Sequence, residues 1–265
     1  MCKDTVTISE APLQTGSLKY LSFPRGFWYK KYFIHRQEGS SQPMKEPDVF
    51  PFIPVRVPPV QVWKRLGYRK ETTFPGGEQA VSLRETLTEA FSLMEIQGAG
   101  LPASFHSPRP GDIRLAGKAV FRSGDLARFL RGCDDLLLMG ATAGQAIMTA
   151  IEEASRAGRM TRAAVLDAAA SEAVDGALDW ITGYYRRKLL RKLKTVTGRR
   201  FSAGYGDFSL ENQKIIYELL RLGDLSVTLT DTFMLIPEKS VTAVAGIMNI
   251  DNREALTDEA EKNPS

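Results

Sequence analysis

A chain of 265 residues with 43% hydrophobic content has apolar side chains for one large core or two small ones. Its 25% charged residues and formal charge of +4 are ordinary for a soluble globular protein and do not by themselves call for a nucleic acid partner. Two cysteines, Cys2 and Cys133, exclude a disulfide framework and a four-sulfur metal site, and two histidines, His35 and His106, exclude HExxH zinc chemistry. The N-terminus, MCKDTVTISEAP, lacks the apolar core of a signal peptide, and no apolar run is long enough to span a bilayer. The expectation is a cytoplasmic protein with no membrane partner.

Residues 1–59 read as an N-terminal extension. Phe23-Pro24-Arg25-Gly26-Phe27-Trp28-Tyr29-Lys30-Lys31-Tyr32-Phe33 is an aromatic-basic cluster that reads first as an arm packing its aromatics on the main body. The alternative is contact with a ligand, a membrane surface or nucleic acid. Gly39-Ser40-Ser41-Gln42-Pro43 signals a linker, and the prolines of 51–59 predict extended chain. A domain of residues 60–250 is expected to follow, with 251–265 as an acidic, fraying tail.

Within that domain, VQVWKRLGY predicts a short amphipathic helix around Trp63 that stops at Gly67. Ser82 with Glu85 has capping-box spacing and predicts a helix start at 82, with Gly98 as its stop. Residues 102–120 read as two strands around Pro110-Gly111, with apolar Ile113 and Leu115 alternating with Asp112 and Arg114. Ser123 caps a helix ending near Gly132. Asp135-Leu136-Leu137-Leu138-Met139 then reads as a buried strand turning through small residues into a helix at Gln145. That turn matches neither GxGxxG nor a P-loop, so tight packing explains it better than phosphate binding.

Residues 161–194 are predicted mostly helical, with an alanine stripe that permits close approach of another element. Glu172, Asp175 and Asp179 share one face of it, either meeting solvent or offering a carboxylate to a ligand ammonium. A basic run follows from Arg186 to Arg200 with no acid in it. It is either a solvated helix end favoured by the macrodipole or a surface steering acidic partners or phosphates.

The richest stretch is Arg200-Phe201-Ser202-Ala203-Gly204-Tyr205. Arginine offers a planar fork for a carboxylate, glycine allows close backbone approach, and tyrosine supplies a flat face with a polar tip. Glu211-Asn212-Gln213-Lys214, Leu229-Thr230-Asp231 and Pro237-Glu238-Lys239-Ser240-Val241-Thr242 follow in order. Together these closely resemble the C-terminal activation domain of cobalamin-dependent methionine synthase. The likeness extends more loosely through 167–179, the CDDLLLMGATAG stretch of 133–144, and Arg65-Leu66-Gly67-Tyr68, covering roughly residues 60–248.

The resemblance implies an α+β fold, a mainly antiparallel twisted sheet flanked by helices. It implies an S-adenosylmethionine site in which Arg200 pairs with the ligand carboxylate and the backbone at Ser202, Ala203 and Gly204 lies along the adenosyl group. Tyr205 would sit at the face shared with the corrin, as the residue nearest the chemistry, and Glu172 would lie on a helix lining the groove. The family's carboxylate for the ligand ammonium has no assigned match. Ala243-Val244-Ala245-Gly246 stands where the family places bulky aromatics. The corrinoid signature Asp-x-His-x-x-Gly and the homocysteine zinc cysteines are missing. The resemblance therefore implies a stand-alone activation protein. Its cobalamin would be carried by a separate methionine synthase or other corrinoid protein, with a flavodoxin or ferredoxin-type reductant and the 186–194 helix as docking surface. A scaffold for a corrinoid protein and, less favoured, a nucleic acid binder are the alternatives.

Overall fold

A computed structural model describes residues 45–68, 76–115 and 119–251, together with the backbone of three short strands before them. The chain divides into two compact units, Met1–Gln42 and Pro43–Ser265. In the first, β1 (Ile8–Ala11), β2 (Leu18–Ser22) and β3 (Trp28–Lys30) form an antiparallel three-stranded sheet in that order. The side chains of the aromatic-basic cluster, the 39–43 linker and the tail from 252 lie outside the described residues.

The second unit is built on a seven-stranded antiparallel sheet. In chain order it runs β4 (Asp48–Phe50), α1 (Pro59–Arg65), α2 (Gly77–Leu93), β5 (Gln97–His106), β6 (Asp112–Leu115), β7 (Val120–Arg122), α3 (Gly124–Phe129), β8 (Asp135–Thr142) and α4 (Gln145–Arg156). There follow α5 (Met160–Leu190), β9 (Lys194–Val196), α6 (Asn212–Leu220), a 3-10 turn (Leu222–Leu225), the hairpin β10 (Thr228–Leu229) and β11 (Leu235–Ile236), and β12 (Ser240–Asn249). The sheet order is β7-β6-β5-β8-β12-β9, with β4 beside β5, and β10 and β11 pair separately. This is the expected α+β arrangement of an antiparallel sheet flanked by helices.

Strand side chains alternate between faces, so one sheet serves two cores. On β8, Leu137, Met139 and Ala141 face a core with α1, α2, α4 and α5, while Leu136 and Leu138 face one with α3, α6 and the 3-10 turn. α5 is the organising helix, 31 residues and thus about 46 Å long. Its alanines at 163, 169, 170, 173 and 177 are buried and let it lie close to the sheet. Facing it, Gly98 and Gly100 on β5 have no room for a side chain: a Cβ at Gly100 would meet the Tyr185 ring at 2.4 Å.

Several expected boundaries shift. α2 begins at Gly77, and Ser82 lies inside it, its carbonyl accepting from Thr86 Oγ1 at 2.9 Å. The buried face of α2, Ala80, Leu83, Leu87 and Ala90, starts before the serine, so burial overrides the capping-box pattern. The helix ends at Leu93, and Gly98 lies in β5, which starts at Gln97 and carries Pro102 within it. The 161–194 helix stops at Leu190, and Lys194 opens β9. Ser123 does cap its helix, accepting from Leu126 N at 2.9 Å. Residues 45–58, assigned from sequence to the extension, pack here within the second unit. β4 pairs with β5, and Ile53 is 1% exposed in the core.

Candidate functional site

The Arg200–Tyr205 stretch lies along an edge of the sheet. Phe201 forms an antiparallel bridge with Val244 of β12, N–H to carbonyl in both directions at 2.8 and 2.7 Å. Phe201 also packs on Phe129 and Phe208, and Ala203 is buried in the same core. The chain then turns outward. Gly204 N donates to Phe208 O at 2.7 Å, Tyr205 N to Ser202 O at 3.4 Å, and Phe208 N to Tyr205 O at 3.0 Å. Gly204 and Gly206 take φ of 91° and 54°, a left-handed backbone that favours glycine. The loop thus presents Gly204 and Tyr205 to solvent, the tyrosine 68% exposed.

A clamp on α3 holds this loop. The Asp207 carboxylate accepts from the Ser123 hydroxyl, from Gly124 N at 2.8 Å and from Asp125 N at 3.1 Å, while Asp125 accepts from Asp207 N at 3.2 Å. The Ser123 hydroxyl, aided by those backbone N–H groups, holds the Asp207 carboxyl below its ordinary value. Nothing in the local sequence signals this clamp, because its halves lie 82–84 residues apart.

Arg200 leaves the loop on the α5 side and pairs with Asp179. That contact is one of several along one flank of the helix. Arg65 Nε meets Glu172 at 2.6 Å and Arg65 Nη2 meets Asp175 at 3.1 Å, while Lys239 Nζ meets Asp167 at 2.7 Å and Ser171 Oγ at 3.0 Å. The acidic face therefore does not simply meet solvent: cations from α1, the Arg200 loop and the start of β12 each find an acid on it. The structure gathers Arg200, Ser202, Ala203, Gly204 and Tyr205 on one loop. Glu172 stands apart, engaged by Arg65 and seven residues, about 10 Å along the axis, before Asp179. The acid that meets the loop's arginine is Asp179.

Eight lysines and arginines occupy 186–200. Arg186 donates to the carbonyls of Val196 and Thr197, both at 3.1 Å; Lys188 pairs with Asp48, Lys194 with Asp135, and Arg200 with Asp179. Arg187, Arg191, Lys192 and Arg199 remain exposed. The continuous basic surface read from sequence is thus split in half by internal partners. Small residues at Ala243, Val244, Ala245 and Gly246 are explained by packing: the first three are buried, and a Cβ at Gly246 would meet Cys133 Sγ at 2.3 Å.

A cavity of about 540 Å³ opens elsewhere, between α2 and the first turn of α5, walled by Glu85, Glu89, Arg159 and Arg162. Glu89 and Arg162 neutralise one another there in a two-pronged pair, which leaves little net charge to attract a ligand. Among the described residues no group of His, Cys, Asp and Glu is placed to hold a metal, and no helix is long and apolar enough to cross a membrane.

Fold and loop together define a class: an antiparallel α+β domain with an Arg-x-x-x-Gly-Tyr loop on the sheet edge. The fold is similar to that of a solved protein described as the MetH reactivation domain bound to AdoHcy, with a TM-score of 0.50 and 12% identity over 76% of this chain and 81% of that one. At that identity the likeness concerns the fold alone. No protein-family model matches the chain, and no curated protein matches its sequence.

Proposed function

We propose that this chain binds S-adenosylmethionine on the 200–205 loop and supports reductive methylation of cob(II)alamin carried by a separate methionine synthase or related corrinoid protein. The observation carrying this reading is the coincidence of two independent likenesses. The loop and the motifs after it resemble the activation domain in sequence, and the fold is similar, over 76% of this chain, to that of a reactivation domain bound to AdoHcy.

Arg200 would receive the ligand carboxylate through its guanidinium fork. The backbone from Ser202 to Gly204, free of bulk at Gly204, would lie along the adenosyl group, and exposed Tyr205 would face the corrin. A cobalamin on the partner would supply the methyl-accepting cobalt, once reduced by a one-electron donor of flavodoxin or ferredoxin type. Held on the 200–205 loop, the ligand's sulfonium methyl would be presented to that cobalt, with S-adenosylhomocysteine as the leaving group. The chain's own share is positioning, since no residue of the loop needs to move a proton.

Calorimetric titration tests the binding step. The wild-type protein is expected to give a saturable heat with S-adenosylmethionine, and Arg200→Ala to weaken it at least about tenfold, the loss of one charge-assisted contact. A folded wild-type protein that gives no heat overturns the reading in favour of a scaffold.

A further inference from the structure

We infer that the acidic segment 252–262 lies back over the basic, leucine-bearing end of α5, its carboxylates on Arg187, Arg191 and Lys192 and its Leu256 on Leu190 and Leu193. The exposed surface there, and the point at which the segment leaves the sheet, carry this without the ligand reading above.

Leu190 and Arg191 lie one turn after Arg187, so the three share one face at the end of α5, and Lys192 and Leu193 follow in the turn to β9. All five are exposed, Leu190 by 59% and Leu193 by 67%. Arg187, Arg191 and Lys192 have no carboxylate partner among the described residues, whereas Lys188 and Lys194 beside them each hold one at 2.6 Å. Leu193 takes a φ of 53°, a left-handed backbone that residues other than glycine seldom adopt, and its side chain stands in solvent. An apolar centre with a charged rim is the anatomy of a protein interface, and the sign of this rim calls for an acidic occupant.

The chain's own continuation starts against this surface. Asn249, the last residue of β12, pairs with Lys194, and Ile250 N donates to Leu193 O at 2.9 Å. Residues 252–262 carry Glu254, Asp258, Glu259 and Glu261 against Arg253 and Lys262, with Leu256 as their one large apolar side chain. From Arg187 to Lys192 the surface runs about 8 Å, and the segment reaches about 16 Å even if fully helical, so its length suffices in any conformation. Exposed ion pairs are individually worth little. A short tether, however, holds the acids at an effective concentration of millimolar order, so several weak contacts together keep the segment in place. An acidic macromolecule docking on this end of α5 must first displace it.

Carbodiimide cross-linking of the full-length protein, read by mass spectrometry, tests this, because it joins a lysine amine to a carboxylate in direct contact. Lys188 with Asp48 and Lys194 with Asp135, both at 2.6 Å, are internal standards. Lys192 is expected to join Glu254, Asp258, Glu259 or Glu261. In about 1 M salt, where charges are screened beyond about 3 Å, that link should be lost while the half-buried Lys194 standard persists. It should also be lost in Arg187→Gln/Arg191→Gln, which leaves Lys192 itself in place. A Lys192 link that survives salt or this substitution reports mere nearness and overturns the inference, as does no link when both standards form. A mixture of isotope-labelled and unlabelled protein identifies the occupant: links within one copy support the segment of the same chain, and links between copies overturn it in favour of a second copy. Hydrogen exchange gives a second readout. The Lys192 and Leu193 amides should exchange more slowly in wild type than in Glu254→Gln/Asp258→Asn/Glu259→Gln/Glu261→Gln, with thermal midpoints unchanged, and equal rates overturn the assignment.

Discussion

Gly206 is the residue on which the shape of the candidate loop most directly depends. Its φ of 54° is left-handed, and a Cβ there would lie 2.2 Å from the Asp125 carboxylate that receives Asp207 N. Gly206→Ala is therefore expected to push the Asp125 carboxylate off Asp207 N, breaking one half of the reciprocal clamp between this loop and the start of α3. The left-handed backbone alone adds roughly 1 kcal/mol of strain for alanine. Hydrogen exchange reads the result: the amide of Asp207, now bonded to the Asp125 carboxylate, should exchange faster than in wild type, and those of the distant β8 should not. Protection at Asp207 that survives the substitution would show that the clamp tolerates a side chain. The arginine, glycine and tyrosine of the loop are legible in the sequence because they sit within six residues. The clamp and the Asp179 pairing are not, because both depend on chain segments that only folding brings together.

At the scale of elements, β4 is held to α5 by a small polar network. The Tyr185 hydroxyl is fully buried, its single proton lying between Asp48 Oδ2 at 2.6 Å and the Gly100 carbonyl at 2.7 Å, and Lys188 Nζ reaches the same Asp48 oxygen at 2.6 Å. Burial would raise the Asp48 carboxyl, but hydrogen bonds from Lys188 and Tyr185 outweigh it and hold it below its ordinary 3.8. Burial, together with Asp48, pushes the Tyr185 phenol far up, and Asp48 raises Lys188. The signs give two limbs. The depressed carboxyl stabilises the fold above its ordinary value, and that stability is lost as pH falls through the lowered one. The raised phenol and ammonium stabilise below their ordinary values near 10 and 10.5 and lose that stability as pH rises beyond them. Tyr185→Phe should cost about 2 kcal/mol at neutral pH, for a buried bond to a charged acceptor. Asp48→Asn should flatten the acid limb of a denaturation curve below the ordinary carboxyl value of 3.8, because the depressed wild-type carboxyl is no longer there to take up a proton. An acid limb of unchanged slope would remove Asp48 from the network. The same region shows why Gly98 reads from sequence as a helix stop: Gln97-Gly98-Ala99-Gly100 has loop composition, yet its glycines are what admit Ile53, Ile181 and Tyr185 against a central strand. Composition records the absence of a side chain and not the neighbour that needs the space.

At the scale of the whole molecule, the division of the chain decides what a minimal domain must contain. Prolines at 51, 54, 58 and 59 favour extended chain and read as a linker, so the sequence places the start of the domain at 60. Extended chain can equally run along a core. Here Ile53 N donates to Ile96 O at 2.9 Å, Ile53 and Val57 are buried among residues of α1, α2 and α5, and Phe50 packs edge-on against Trp180 and Tyr184. What the sequence conveys is the conformation of this segment; its burial depends on α5, more than a hundred residues later. A chain beginning at Pro43 keeps all of these contacts and should unfold cooperatively, with a midpoint close to that of the second unit in the full chain. One beginning at Val60 loses the burial of Ile53 and Val57, together about 3–6 kcal/mol, and leaves the Tyr185 hydroxyl without Asp48. That loss is a large fraction of an ordinary domain's stability, so the shorter chain should melt far lower or fail to fold. Thermal denaturation of the two truncations against the full chain makes the comparison. Equal midpoints for the two would show that 43–59 only lies over a core complete without it.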